Sequence, residues 1–125
     1  MRMSIDDIKV KAEKMQAYLE LTPGSEPNDL IDRTEKLNVL IAQSGKMLAD
    51  AEWYRDQLME GTIMKALKDN MEEKLSASTL NSYVKSLVRD YNFLVKWTDR
   101  INATATHQVD SLRTVISYRK AEMVL

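Results

Sequence analysis

From Leu80 onward, apolar and small residues recur at alternating four- and three-residue steps without a slip: Leu80, Val84, Leu87, Tyr91, Leu94, Thr98, Ile101, Ala105, Gln108, Leu112 and Val115. That spacing is the seam of a coiled-coil-type helix over residues 79–121. A helix of about 40 residues is roughly 60 Å long. One chain of 125 residues is short for covering such a seam alone. The pattern therefore predicts an all-α protein: a helical hairpin or open bundle with one long C-terminal helix and a coiled-coil-like seam. The seam is expected to pair with a second helix of the chain and, beyond it, with other copies in a homo-oligomer.

Composition supports this reading. The chain has three glycines and two prolines, too few turn residues for a sheet-rich fold. It has no cysteine, which excludes a disulfide framework and thiolate metal sites. No apolar run approaches the ~18 to 20 residues needed to cross a bilayer. The start, "MRMSIDDIKV", is interrupted by acids where a signal peptide needs a continuous apolar core. A soluble, cytoplasmic protein without membrane contact is expected. The Asn102-Ala103-Thr104 sequon then has no role.

The rest of the chain divides into three further helical segments of one domain spanning residues 1–125. The first, about 4–21, starts at Ser4 with Asp7 three residues on. Its apolar face is Ile5, Ile8, Ala12, Met15 and Leu19. "TPGSEP", Thr22 to Pro27, ends it. Asn28 is the expected cap of a second helix, about 28–60, with Leu30, Leu37, Ile41, Leu48, Ala51 and Leu58 on one face. Gly61 is read as its end. A short third segment, about 62–74, follows Thr62, and "LSAST", Leu75 to Thr79, separates it from the last helix.

Within the long seam, Thr98, Ala105 and Gln108 stand where large apolar residues are usual. Small residues let backbones approach closely, and a seam glutamine tends to set register at some cost in stability. On the opposite face, at about 100° per residue, Lys85, Arg89, Lys96, Arg100 and His107 fall within roughly 60° of one another. Thr114 and Tyr118 continue the stripe, with Asn92 beside it. Phe93 and Trp97 flank one edge, Asp99 and Asp110 the other.

Charge is distributed in the same sense. Residues 74–125 hold eight Lys or Arg against four Asp or Glu, a net of +4; residues 1–73 hold ten against fifteen, a net of −5. A total of −1 thus hides a polarised chain, and the basic half suits an anionic partner. The stripe fits a backbone-tracking surface for single-stranded nucleic acid with aromatics at hand for stacking. It also fits an ordinary solvated helix face, or a contact with an acidic protein.

Catalytic chemistry finds no support. A di-iron bundle needs two Glu-x-x-His units, and the chain has one histidine. There is no glycine-rich phosphate loop, and no spacing makes His107 the base of a serine nucleophile. Acid pairs such as Asp6-Asp7, Asp29 with Asp32, and Glu72-Glu73 stand near helix ends, where acids are common and need no catalytic role. Met15, Met47, Met59 and Met64 read as core filling, and Trp53-Tyr54 as core or subunit contact. No metal, cofactor or catalytic residue is expected.

The segment "LSASTLNSYVKSLVRDYNFLVKWTDRINATATHQVDSLRTVISYRK" resembles the C-terminal half of the UvsY-type recombination mediators of tailed bacteriophages. The shared pattern is an aromatic stretch (Tyr91, Phe93, Trp97), then Asp99 and small residues, then "HQVDSLRTVIS" with Arg113. The stretch "AQSGKMLADAEWY", Ala42 to Tyr54, is similar to an earlier helix of that family ending in a tyrosine pair. The resemblance implies a ring-like homo-oligomer that binds single-stranded DNA and helps load a recombinase by remodelling single-strand-binding protein. It implies no cofactor and no nucleotide hydrolysis, and a bacterial host cell as the setting. On the helical projection, Lys85, Arg89, Lys96 and Arg100 would contact phosphates, with His107 closing the line. Phe93, Trp97 and Tyr118 would stack bases.

A second reading uses protein contacts alone. In it the chain is a helical scaffold or inhibitor that assembles through Leu80, Val84, Leu87, Tyr91, Leu94, Ile101, Ala105 and Leu112 and binds no DNA.

Overall fold

The computed structural model describes residues 1–73 and 76–124. Four helices follow in order: α1 (Ile5–Leu19), α2 (Pro27–Glu73), α3 (Ala77–Leu87) and α4 (Arg89–Val124). No strand occurs among the described residues. Lys74 and Leu75, at the junction expected between the third segment and the "LSAST" break, lie outside them.

α1 forms as its sequence predicts. Ser4 is its N-cap, and the hydroxyl accepts the Asp7 amide at 3.1 Å, satisfying one of the first turn's orphan donors. Asp6 and Asp7 sit where the helix dipole favours acids. Ile8, Ala12, Met15 and Leu19 are buried, and Ile5 is half-buried. The helix stops two residues before the expected end, at Glu20, whose amide bonds back to Gln16 and Tyr18.

α2 begins at Pro27, one residue ahead of the cap expected at Asn28. Proline suits the first helical position, where its missing N–H costs nothing. Asp29 reaches back to the Glu26 amide at 3.3 Å, the return half of a capping box. The helix then runs for 47 residues, about 70 Å, straight through Gly61. A mid-helix glycine costs only about 1 kcal/mol, too little to end a helix whose apolar pattern continues to the buried Ala66. Residues 62–73 are thus part of α2 and form no separate helix.

The expected single helix 79–121 is divided at Val88, which caps α3 with φ −95° and ψ 4°. Neither proline nor glycine marks the site. Val88 is buried while Leu87, the seam position, is 44% exposed, so the apolar stripe shifts by one residue at the break. Ser76 caps α3, in place of Ser78, the candidate cap that the "LSAST" break offers by sequence; the Ser76 hydroxyl accepts the Thr79 amide at 3.1 Å.

The core is built by α1, α2 and α4. Residue pairings give the directions: Arg33 meets Gln108, and Ile41 and Ser44 meet Asn102, so α2 and α4 are antiparallel. Met3 meets Asp50, whereas Leu19 lies by Gln108, so α1 runs against α2 and alongside α4. The seam residues Leu94, Ile101, Ala105 and Leu112 are buried inside the chain itself, packed with Leu37, Leu40 and Met47 of α2 and Ile8 and Met15 of α1. Leu80, Val84 and Tyr91 are half-buried, and Val115 is exposed.

The buried face of α4 is wider than one seam, because two helices pack on it. Val95 and Val109 join the core. Thr98, fully buried, returns its hydroxyl to the Leu94 and Val95 carbonyls at 2.9 and 3.0 Å. In α2 the buried stripe is Leu30, Arg33, Leu37, Leu40, Ser44, Met47 and Ala51. Ile41, Leu48 and Leu58 lie at its half-buried edge. Met15 and Met47 fill the core as expected, but Met64 is 60% exposed.

Candidate nucleic-acid interface

The face of α4 turned away from α1 and α2 carries the basic stripe. Arg89, Lys96, Arg100 and His107 are all exposed. On one helix, Arg89 and Lys96 lie about 10 Å apart along the axis, Lys96 and Arg100 about 6 Å, and Arg100 and His107 about 10 Å. Among the described residues none of the four makes an ion pair; the pairs found are Lys36–Asp32, Lys46–Asp50, Arg55–Asp56 and Arg113–Asp110. Three unneutralised cations in line are the arrangement that attracts a polyanion and releases its counterions. Asp90, Asp99 and Asp110 are also exposed beside the stripe and temper its field.

Lys85 does not continue this line on the same helix. It stands in the last turn of α3, beyond the break at Val88, so the projection that joined it to Arg89 no longer applies.

The aromatics divide by environment. Phe93 is 66% exposed and Tyr118 67%, so both present open faces. Trp97 is half-buried, packed against the core, and its Nε1 donates to Gln16 Oε1 at 3.2 Å. Phe93 leans on it with ring centroids 6.0 Å apart and planes inclined at 46°. Trp97 is therefore a fixed backing for Phe93 and does not itself project from the surface. Trp53 and Tyr54 lie elsewhere, edge-to-face at 5.2 Å, with the Arg2 guanidinium 3.6 Å from the Trp53 centroid.

His107 ends the stripe at the mouth of an open groove of about 480 Å³ between the turn after α1 and the middle of α4. Among the described residues, no group of His, Asp and Glu side chains is arranged to hold a metal ion. None of the helices there is long and apolar enough to cross a membrane.

No protein-family model, curated protein or solved structure matches this chain.

The residue that sequence reasoning missed is Arg33. It is 5% exposed and lines the same groove as His107. The signal was present: the steps 30, 33, 37, 40, 44, 47 and 51 alternate three and four without a slip, as in the last helix. Choosing Ile41 and Leu48 for their apolarity set the face one position too far round and left Arg33 on the surface.

Proposed function

We propose that the chain is a non-enzymatic helical protein that binds single-stranded DNA along the exposed face of α4. The observation that carries the reading is the set Arg89, Lys96 and Arg100, exposed on one helical face and without an ion-pair partner among the described residues, with the open ring of Phe93 between the first two. A charged track with a stacking platform beside it suits a flexible strand whose bases are free, more than a duplex whose bases are enclosed. The resemblance to UvsY-type mediators extends the proposal to recombinase loading: a homo-oligomer that acts on the strand and on a recombinase or its single-strand-binding protein.

The test is fluorescence anisotropy of a labelled single-stranded oligonucleotide titrated with the protein across a salt series, with duplex as control. Binding that prefers the single strand and weakens steeply with salt is expected. No binding at low salt would refute the reading and return the stripe to a solvated face.

One observation favours the alternative of a protein-directed scaffold. Away from α1, the far end of α2 and α3 exposes Ile63, Met64, Leu67, Tyr83 and Leu87. An apolar area of this kind commonly marks a protein contact. Under this reading the chain assembles or docks there and shows no DNA affinity.

A further inference from the structure

The buried stripe of α2 contains one full positive charge. Arg33 is 5% exposed, its guanidinium 4.2 Å from the centroid of the Tyr18 ring. Its Nη2 donates to Gln108 Oε1 at 2.9 Å, and Gln108 is itself held by donating Nε2 to the Leu19 carbonyl at 3.0 Å. The Nε of Arg33 is buried and, among the described residues, has no hydrogen-bond partner. Among the described residues no carboxylate pairs with it. Charged groups are rarely this buried unless paired, because an uncompensated ion at such depth is strongly disfavoured.

Arg33 also lines the groove of about 480 Å³, together with Thr22, Thr104, His107, Gln108 and Ser111. These supply hydroxyl, imidazole and amide groups from α4 and the turn after α1. Thr98, Thr106 and Thr114 return their hydroxyls to carbonyls one turn back in α4. Among the described residues Thr104 and Ser111 make no such bond, which leaves their hydroxyls available to donate. Among the described residues Glu20 is the one acid on the groove's wall; it is exposed and accepts from Gln16 Nε2 at 3.0 Å.

We infer that this groove is a binding site for a phosphate-class oxyanion, with Arg33 as its counter-charge and Thr104, His107 and Ser111 as further donors. A guanidinium with unsatisfied N–H groups is suited to phosphate oxygens, and several oxygens around one centre suit donors that arrive from α2 and α4 together. The tyrosine stack and the Gln108 bridge hold the guanidinium in place before the anion arrives. The site does not depend on strand binding by α4, although His107 is common to the groove and the end of the basic stripe.

The first experiment measures thermal unfolding of the full chain in inorganic phosphate against sodium chloride of equal ionic strength. A phosphate-specific rise in midpoint is expected, since a ligand that binds only the folded state stabilises it by mass action. Arg33→Met should abolish the rise; an apolar replacement of a buried charge often folds as well as the original. In case that variant does not fold, the double variant His107→Ala with Ser111→Ala changes only exposed positions, and it should weaken phosphate binding roughly tenfold. A wild-type chain that responds to phosphate no more than to chloride would overturn the site. So would a full response retained in Arg33→Met or in the double variant. Comparing 5′-phosphorylated with unphosphorylated oligonucleotides distinguishes the sources. A gain from the 5′-phosphate, lost in Arg33→Met, identifies a strand end; a response to inorganic phosphate without that gain identifies a free oxyanion.

Discussion

Asn102 of α4 donates its side-chain amide to Ser44 Oγ on α2 at 3.0 Å, and the same nitrogen lies 2.9 Å from the Ile41 carbonyl. Ser44 is fully buried, so this clasp satisfies polar groups that water does not reach. It pins the register of two antiparallel helices whose surrounding contacts are apolar and, by themselves, tolerant of a slide. Asn102→Ala leaves Ser44 with only its bond to the Ile41 carbonyl at 3.2 Å. A loss of about 1 to 3 kcal/mol is expected, the range for orphaning buried polar groups, read as a lower urea midpoint at unchanged slope.

Acid should loosen the N-terminal end of the bundle. Burial pushes the Asp50 carboxyl upward, but the Lys46 hydrogen bond, the Met3 amide and the charges of Lys46 and Arg2 outweigh it and hold the group below its ordinary value. The folded chain therefore binds fewer protons here than the unfolded one. The stabilisation is complete above the ordinary carboxylate range and drains away as pH falls below about 4 towards the depressed folded value. Asp50→Asn should lower stability at neutral pH and flatten that acid limb. Urea midpoints from pH 7 to pH 3 for both chains check this; parallel curves would exclude Asp50 as a source of the slope.

Much of this architecture was legible in the spacing of apolar residues, and the failures have physical causes. The start and the buried face of α1 are legible because Ser4 caps it and one clean face, from Ile8 to Leu19, is buried on it. Gly61 was misread because a local propensity of about 1 kcal/mol was weighed above a pattern that continued past it. The break at Val88 has no proline or glycine to announce it. Val95 and Val109 were missed because a seam model assumes one partner helix, whereas α4 is covered by both α1 and α2. Of the basic stripe, exposure was foreseeable from its position opposite the seam. The burial of Arg33 and the anchoring of Trp97 by Gln16 arise from contacts distant in sequence, which periodicity does not encode.

Gly24 and Gly61 should respond in opposite ways to alanine. Gly61 lies mid-helix with nothing within 4 Å of an added Cβ, so Gly61→Ala should stabilise by about 0.5 to 1 kcal/mol. At Gly24 an added Cβ would sit 2.6 Å from Asp29 Cγ. The carboxylate would have to swing off the Glu26 amide, costing about 1 kcal/mol through loss of the cap. Thermal unfolding of the two variants reads both signs. A stabilised Gly24→Ala would show that the capping bond contributes nothing.

Charge reversal on α4 separates the two functional readings. Lys96 and Arg100 are exposed and make no ion pair among the described residues, so Lys96→Glu with Arg100→Glu removes no intramolecular partner, and unfolding midpoints should shift little. Single-strand affinity, in contrast, loses two phosphate contacts and gains two repulsions. The slope of log affinity against log salt should fall by about 0.7 for each lost contact on a single strand, and binding at moderate salt should vanish. Phe93→Ala should act differently, weakening affinity by about 1 to 3 kcal/mol with an unchanged salt slope, because stacking releases no counterions. An unaltered affinity in the charge-reversed chain would place any DNA contact off this face. The exposed apolar end of α2 and α3 would then become the surface to test, through Leu67→Lys and the change in oligomeric state that it produces.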